Sequence, residues 1–219
     1  MDIEEKPRIL FSNFIAAFPF FTLSGTYLIT WIYPYAFGKK MVAHLVLIML
    51  LEFINIHSIG FMGNALISDM PSGKKAKAII GLSIFYTIFI IGFSAAFSAW
   101  WPIPVFLGLT LSHIIDIFVG NIPKGKEKDA VRCSWAAGTL FYLAFVFATT
   151  LLPIPRLGIT RDVVHAQEFT SSGLWISEPY RVIAFGFLYF AGMAFSQLYN
   201  HTWLMKGVRH NTNPFDGKQ

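Results

Sequence analysis

Six stretches of this chain run for about 20 residues with almost no charge, and short segments rich in lysine, proline and glycine separate them. A helix of that length, rising about 1.5 Å per residue, crosses the roughly 30 Å of hydrocarbon in a bilayer. The pattern predicts spans at residues 11–35, 41–68, 78–100, 102–122, 135–152 and 182–204. No stretch alternates apolar and polar residues as a membrane-spanning strand does, which argues against a β-barrel. The expected fold class is an all-α integral membrane protein, one six-span domain over 1–219. It would carry an external loop at 153–180 and a cytoplasmic tail at 205–219. Pro19 inside the first span predicts a kink, because proline removes an intrahelical hydrogen bond.

The pattern also echoes itself. Phe61-Met62-Gly63-Asn64 followed by Pro71-Ser72-Gly73-Lys74 recurs as Phe118-Val119-Gly120-Asn121 followed by Pro123-Lys124-Gly125-Lys126. Phe85-Tyr86 with Pro102-Ile103-Pro104 recurs as Phe141-Tyr142 with Pro153-Ile154-Pro155. Spans 2–3 and 4–5 therefore read as a duplicated helical hairpin in parallel orientation, an arrangement that in some transporters places the substrate site near the midplane.

Composition sharpens the class. The chain is 55% hydrophobic and only 13% charged, about half the charge of a soluble domain. The net charge of +5 sits in the loops, so it signals topology and not a nucleic-acid partner. With the N-terminus cytoplasmic, the outer side holds only Lys39, Lys40, Arg156, Arg161 and Arg181 of the 17 Lys and Arg, which sets both termini inside. Trp31, Tyr33, Trp100 and Trp101 then anchor the outer boundary, and Trp135 and Trp203 the inner one. The first residues, MDIEEKPRIL, lack a basic region and a small-residue cleavage site, so the first span is expected to be retained. A single cysteine, Cys133, forms no internal disulfide.

Candidate chemistry lies in the middle of the spans. Glu52 is 11 residues into span 2 and His113 is 11 residues into span 4, each roughly 16 Å deep at helical rise. His57 and Asp116 lie slightly further in. Ionisable groups at that depth are costly and point to function. His113 and Asp116 share a helical face, as do Glu52 and Asn55, whereas His57 shares a face with Asn64 and lies about 140° round from Glu52. The expected arrangement sets Glu52/Asn55 opposite His113/Asp116, with His57 and Asn64 turned to another neighbour. Carboxylate with imidazole suits zinc, iron or manganese, which would place a metal on Glu52, His113 and Asp116. The same groups suit a proton relay. Haem would have to be b-type, with His57 and His113 as the axial pair, because no C-x-x-C-H occurs.

Weaker candidates are His44 and His201 at the two boundaries, and His165 with Glu168 on a short external helix. Gly192 and Ser196 form a small-x-x-x-small pair suited to helix packing. No nucleotide-binding, zincin or hydrolase motif is present. The leading expectation is a non-enzymatic membrane protein of transport type. Its cluster of Glu52, Asn55, His57, His113 and Asp116 would bind or relay a proton, ion or small solute. The alternatives are a metal- or haem-containing membrane oxidoreductase, and an accessory subunit with a structural cluster. Expected partners are the lipid bilayer and either other membrane subunits or further copies of the chain, in a bacterial-type inner or plasma membrane.

Overall fold

The structure is a computed structural model that describes residues 5–120, 125–169, 172–199 and 201. The described residues form helices only: α1 (Glu5–Ile32), α2 (Met41–Leu66), α3 (Ser72–Ala96), α4 (Pro102–Val119), α5 (Lys126–Leu151), α6 (Arg161–His165), α7 (Leu174–Ser177) and α8 (Pro179–Leu198). Six of them, α1 to α5 and α8, are long and apolar enough to cross a membrane, which makes this a polytopic integral membrane protein. The tail at 205–219 and the loop residues Asn121 to Lys124 lie outside the described residues.

Helix limits differ from the hydrophobic limits for local reasons. Helix α5 begins nine residues before its apolar run, because Glu127 and Asp129 in its first turn complement the helix dipole. Helix α3 starts at Ser72 after Pro71, which fixes an extended entry. It ends when Ser98 takes a left-handed conformation and the Ala99 N–H reaches back to the Ser94 carbonyl at 2.9 Å. Pro19 sits inside an α1 that remains one helix.

The helices pack as two lobes that share α2. In the first, α1 lies along α8, and α8 also carries α5 and α2. Its core includes Tyr27, Leu45, Met49, Tyr142, Ile183, Phe185 and Tyr189. In the second, α3 lies between α2 and α4 around Ile54, Met62, Ile79, Tyr86, Ile90 and Phe106. Helices α2 and α3 form a packed hairpin, but α4 and α5 share no substantial contact, since α4 rests on α3 and α5 on α8. The echoed motifs also end differently: Gly63 is inside α2, whereas Gly120 is the left-handed cap of α4.

Helices α1 and α2 are tied at the end where α2 begins. Residues 153–169 cross α1, with Trp31 Nε1 donating to the Pro155 carbonyl at 3.1 Å and the Gly158 N–H to the Trp31 carbonyl at 3.0 Å. Gln167 then plugs the start of α2. Its Oε1 accepts from the Ala43 N–H at 3.2 Å, and its Nε2 donates to the Lys39 and Val163 carbonyls. Lys40 bonds the Gln167 carbonyl and the Glu168 carboxylate at 2.9 and 2.7 Å. Arg181 closes the same end of the first lobe, donating to the Thr149, Thr150 and Leu152 carbonyls of α5 and to Glu178. The Arg181 hydrogen bond holds the Glu178 carboxyl below its ordinary range. At the other end, Lys75 and Lys128 donate to the Leu66 and Ile67 carbonyls, so lysines from the first turns of α3 and α5 cap the end of α2.

The tightest helix contact is at Gly186 of α8, where a Cβ would overlap the Tyr27 ring. Gly186→Ala should lower stability by about 1–3 kcal/mol, the usual cost of overpacking. Gly81→Ala, with open space around it, should be neutral or better. Equilibrium unfolding of both variants in mixed micelles checks the pair.

Candidate functional site

Polar chemistry in the spans collects along one stripe of α2. Residues 45, 49, 52 and 56 recur at the four–three spacing of a single helical face, and that face meets α1, α5 and α8. At each level an aromatic side chain donates into it. Tyr27 Oη bonds the Leu45 carbonyl at 2.7 Å, Tyr142 Oη the Met49 carbonyl at 3.1 Å, and Trp135 Nε1 the Ile56 carbonyl at 2.9 Å. At the remaining level the acceptor is a side chain: Tyr189 Oη donates to Glu52 Oε1 at 2.6 Å. Asn55 Nδ2 donates to Glu52 Oε2 at 3.4 Å, so the pair expected on one face is there.

Glu52 and Asn55 open onto a cavity of about 310 Å³ at the seam between the lobes. Leu23 of α1, Ile48, Leu51 and Ile54 of α2, and Ile90 of α3 line it, together with Trp101, Pro102, Val105, Phe106 and Leu109 at the start of α4. Glu52 and Asn55 supply its only carboxylate and amide.

His57 and Asn64 are elsewhere, as their helical angle requires. Both line a groove of about 590 Å³ between α2 and α5, with Arg132, Cys133 and Trp135 on its far wall. The His57 Nδ1 lies 2.8 Å from the Phe53 carbonyl one turn back, and its ring rests on the Phe53 ring. Packing in this groove is closest at Gly60, where a Cβ would meet the Trp135 indole nitrogen at 2.7 Å.

His113 and Asp116 are partly exposed on α4, about one and two turns past the stretch that lines the Glu52 cavity. The partner of Glu52 in the structure is therefore Tyr189 of α8 and not the His113/Asp116 pair. Among the described residues, no three His, Cys, Asp or Glu side chains come together in a way that could hold a metal ion, so Glu52, His113 and Asp116 form no such group. His57 lines the groove between α2 and α5, and His113 lies on α4.

The boundary candidates have structural partners. His44 lines a polar hollow of about 450 Å³ beneath Gln167 and Glu168. His165 ends α6, but Glu168 lies beyond that helix in a left-handed conformation and pairs with Lys40 at 2.7 Å. Gly192 packs under the Phe141 and Phe145 rings of α5, while Ser196 bonds His201 Nδ1 at 2.7 Å. His201 is buried against the end of α8, with Nε2 2.9 Å from Gln197 Oε1 and its N–H on the Ser196 carbonyl. Tyr189 and Gln167 were the residues that span-by-span reading missed. A tyrosine in mid-span was the available signal for the first, because its hydroxyl must find an acceptor there.

Compared with protein-family models, curated proteins and solved structures, the chain matches none.

Two outcomes follow from these contacts. Tyr189→Phe should cost about 1–3 kcal/mol by leaving a polar acceptor unpaired. A cycle with Glu52→Leu should return a coupling above about 0.5 kcal/mol, and unfolding in mixed micelles measures it. Burial lowers the pKa of His201 from its ordinary 6.5. The native state then binds fewer protons than the unfolded one, so this contribution is complete above pH 6.5 and is lost as pH falls through the folded value. The protection factors of amides at the end of α8, which divide out the intrinsic slowing of exchange by acid, should fall below pH 6.5 in the wild type, and the fall should vanish in His201→Gln.

Proposed function

We propose that this is a membrane protein of transport type in which Glu52 binds and releases a proton or a small solute at the seam between the two lobes. The observation that carries this reading is the contrast among the three tyrosine contacts. Tyr27 and Tyr142 satisfy their hydroxyls on backbone carbonyls of α2. A carbonyl or a neutral amide would serve Tyr189 equally well, at far less cost than a carboxylic acid within a span. The acid is surplus to the packing, and its second oxygen sits with Asn55 on a cavity wide enough for a small molecule.

His113 and Asp116 enter the proposal as a second titratable pair further along α4, and His57 as one facing the α2–α5 groove. Neither is needed for the Glu52 chemistry. The competing reading is an accessory subunit in which Glu52 only anchors Tyr189, and the aromatic contacts along the same stripe favour it.

Glu52→Gln separates the two. Glutamine keeps an acceptor for Tyr189 and cannot titrate. Reconstituted in vesicles with a pH-sensitive dye inside, the wild type should carry a proton flux that Glu52→Gln reduces at least tenfold, with its melting temperature unchanged. An equal flux in both would assign Glu52 to packing alone. Asp116→Asn, run beside it, tells whether the α4 pair shares the path.

A further inference from the structure

We infer that the ligand of the Glu52 cavity is a monovalent organic cation with an apolar body, its charge held by the Glu52 carboxylate. The inference rests on the reading of Glu52 as a binding group and adds the chemical class of what binds.

Charge comes first. Among the described residues the ion pairs are Lys40 with Glu168 and Glu178 with Arg156 and Arg181, all at the end where α2 and α8 begin. Among the described residues no lysine, arginine or histidine lines the cavity, and the hydrogen bonds to Glu52 come from neutral donors. An ionised carboxylate in that setting lacks a counter-charge, and a ligand that brings one gains most from the site.

The walls then decide what kind of cation. Calcium takes six to eight oxygen ligands, and a structural zinc site takes four protein ligands. This cavity presents two carboxylate oxygens and one amide among ten other side chains, nine of them aliphatic, proline or phenylalanine and the tenth Trp101. A hydrated inorganic ion would place its water against hydrocarbon. An organic cation buries its body on Leu23, Ile48, Val105 and Phe106 instead, and the Trp101 indole adds a cation–π face at the rim. The rim residues Trp101, Val105 and Leu109 are 42%, 54% and 50% exposed, so the cavity opens on the side of α4 turned to the bilayer, where a lipophilic cation concentrates.

Proton and ligand would compete for one carboxylate. The groups around Glu52 are Tyr189 from α8, Tyr142 from α5, Tyr27 from α1 and Asn55 from α2, and the α3 and α4 walls bring no titratable side chain. Phenols ordinarily titrate near pH 10, which leaves Glu52 as the group that governs binding at lower pH.

The test uses tetraphenylphosphonium and its anionic twin, tetraphenylborate, on the full chain in detergent. Equilibrium dialysis should show saturable binding of one phosphonium per chain, weakened at least tenfold by acidification and by Glu52→Gln, with no saturable binding of the borate. Trp101→Leu, at the rim and away from the Tyr189 contact, should weaken phosphonium binding about threefold to tenfold, in line with a partly exposed cation–π contact. Equal phosphonium binding in wild type and Glu52→Gln would overturn the inference, as would saturable binding of the borate. If the phosphonium fails to bind while Glu52→Gln still abolishes vesicle proton flux, the cation is wrong and the Glu52 reading stands. If both fail, both fall.

Discussion

Polar groups in a membrane span look for partners inside the protein, and for the aromatic donors of α1, α5 and α8 it is α2 that supplies the acceptors. The Tyr27, Tyr142 and Trp135 donors all end on carbonyls of one α2 stripe, and Tyr189 ends on Glu52 in the same stripe. Those carbonyls belong to an intact helix, so the aromatic donors use their second lone pairs. The result fixes α2 in rotation and in height against α1, α5 and α8. Its remaining faces are left to build the second lobe with α3 and α4.

Sharing one helix between two lobes puts the seams beside α2. On one side α1 and α4 approach without substantial contact, which leaves the Glu52 cavity. Within the first lobe a groove also opens between α2 and α5, where the Trp135 indole lies on Gly60. Seams between rigid units are where pockets concentrate, and a helix that belongs to both lobes would feel any movement of one against the other. The connection from residue 153 to 169 joins α1 to the start of α2: it bonds α1 through Trp31 and α2 through Gln167 and Lys40.

The six spans were legible because the bilayer imposes a length and a composition that local sequence displays directly. Their ends were less so. The polar starts of α3 and α5 extend beyond the apolar runs, since a helix can continue past the hydrocarbon wherever its first turn is favourable. The angles along α2 follow from helical rotation: Glu52 and Asn55 share a cavity, and His57 and Asn64 share a different groove. What the sequence could not supply was the neighbour. Equal depth suggested His113 and Asp116, yet depth is one coordinate of three, and α8, distant in sequence, presents Tyr189 instead. The echo between spans 2–3 and 4–5 likewise describes repeated span ends, while helix contacts are set by side chains along the whole length, and those place α5 against α8 and not against α4.

The Tyr189–Glu52 contact has one further property that bears on function. A phenol can donate to a carboxylate oxygen or, more weakly, to the carbonyl oxygen of a protonated acid, and the Asn55 amide can donate to the first or accept from the second. The contact between α8 and α2 therefore survives a change in the charge of Glu52. A carboxylate anchored by arginine would lose much of its packing on protonation, because an unpaired cation would be left in the span. Neutral donors allow the charge to come and go while the stripe holds its place, a condition that any group exchanging a proton for another cation has to meet.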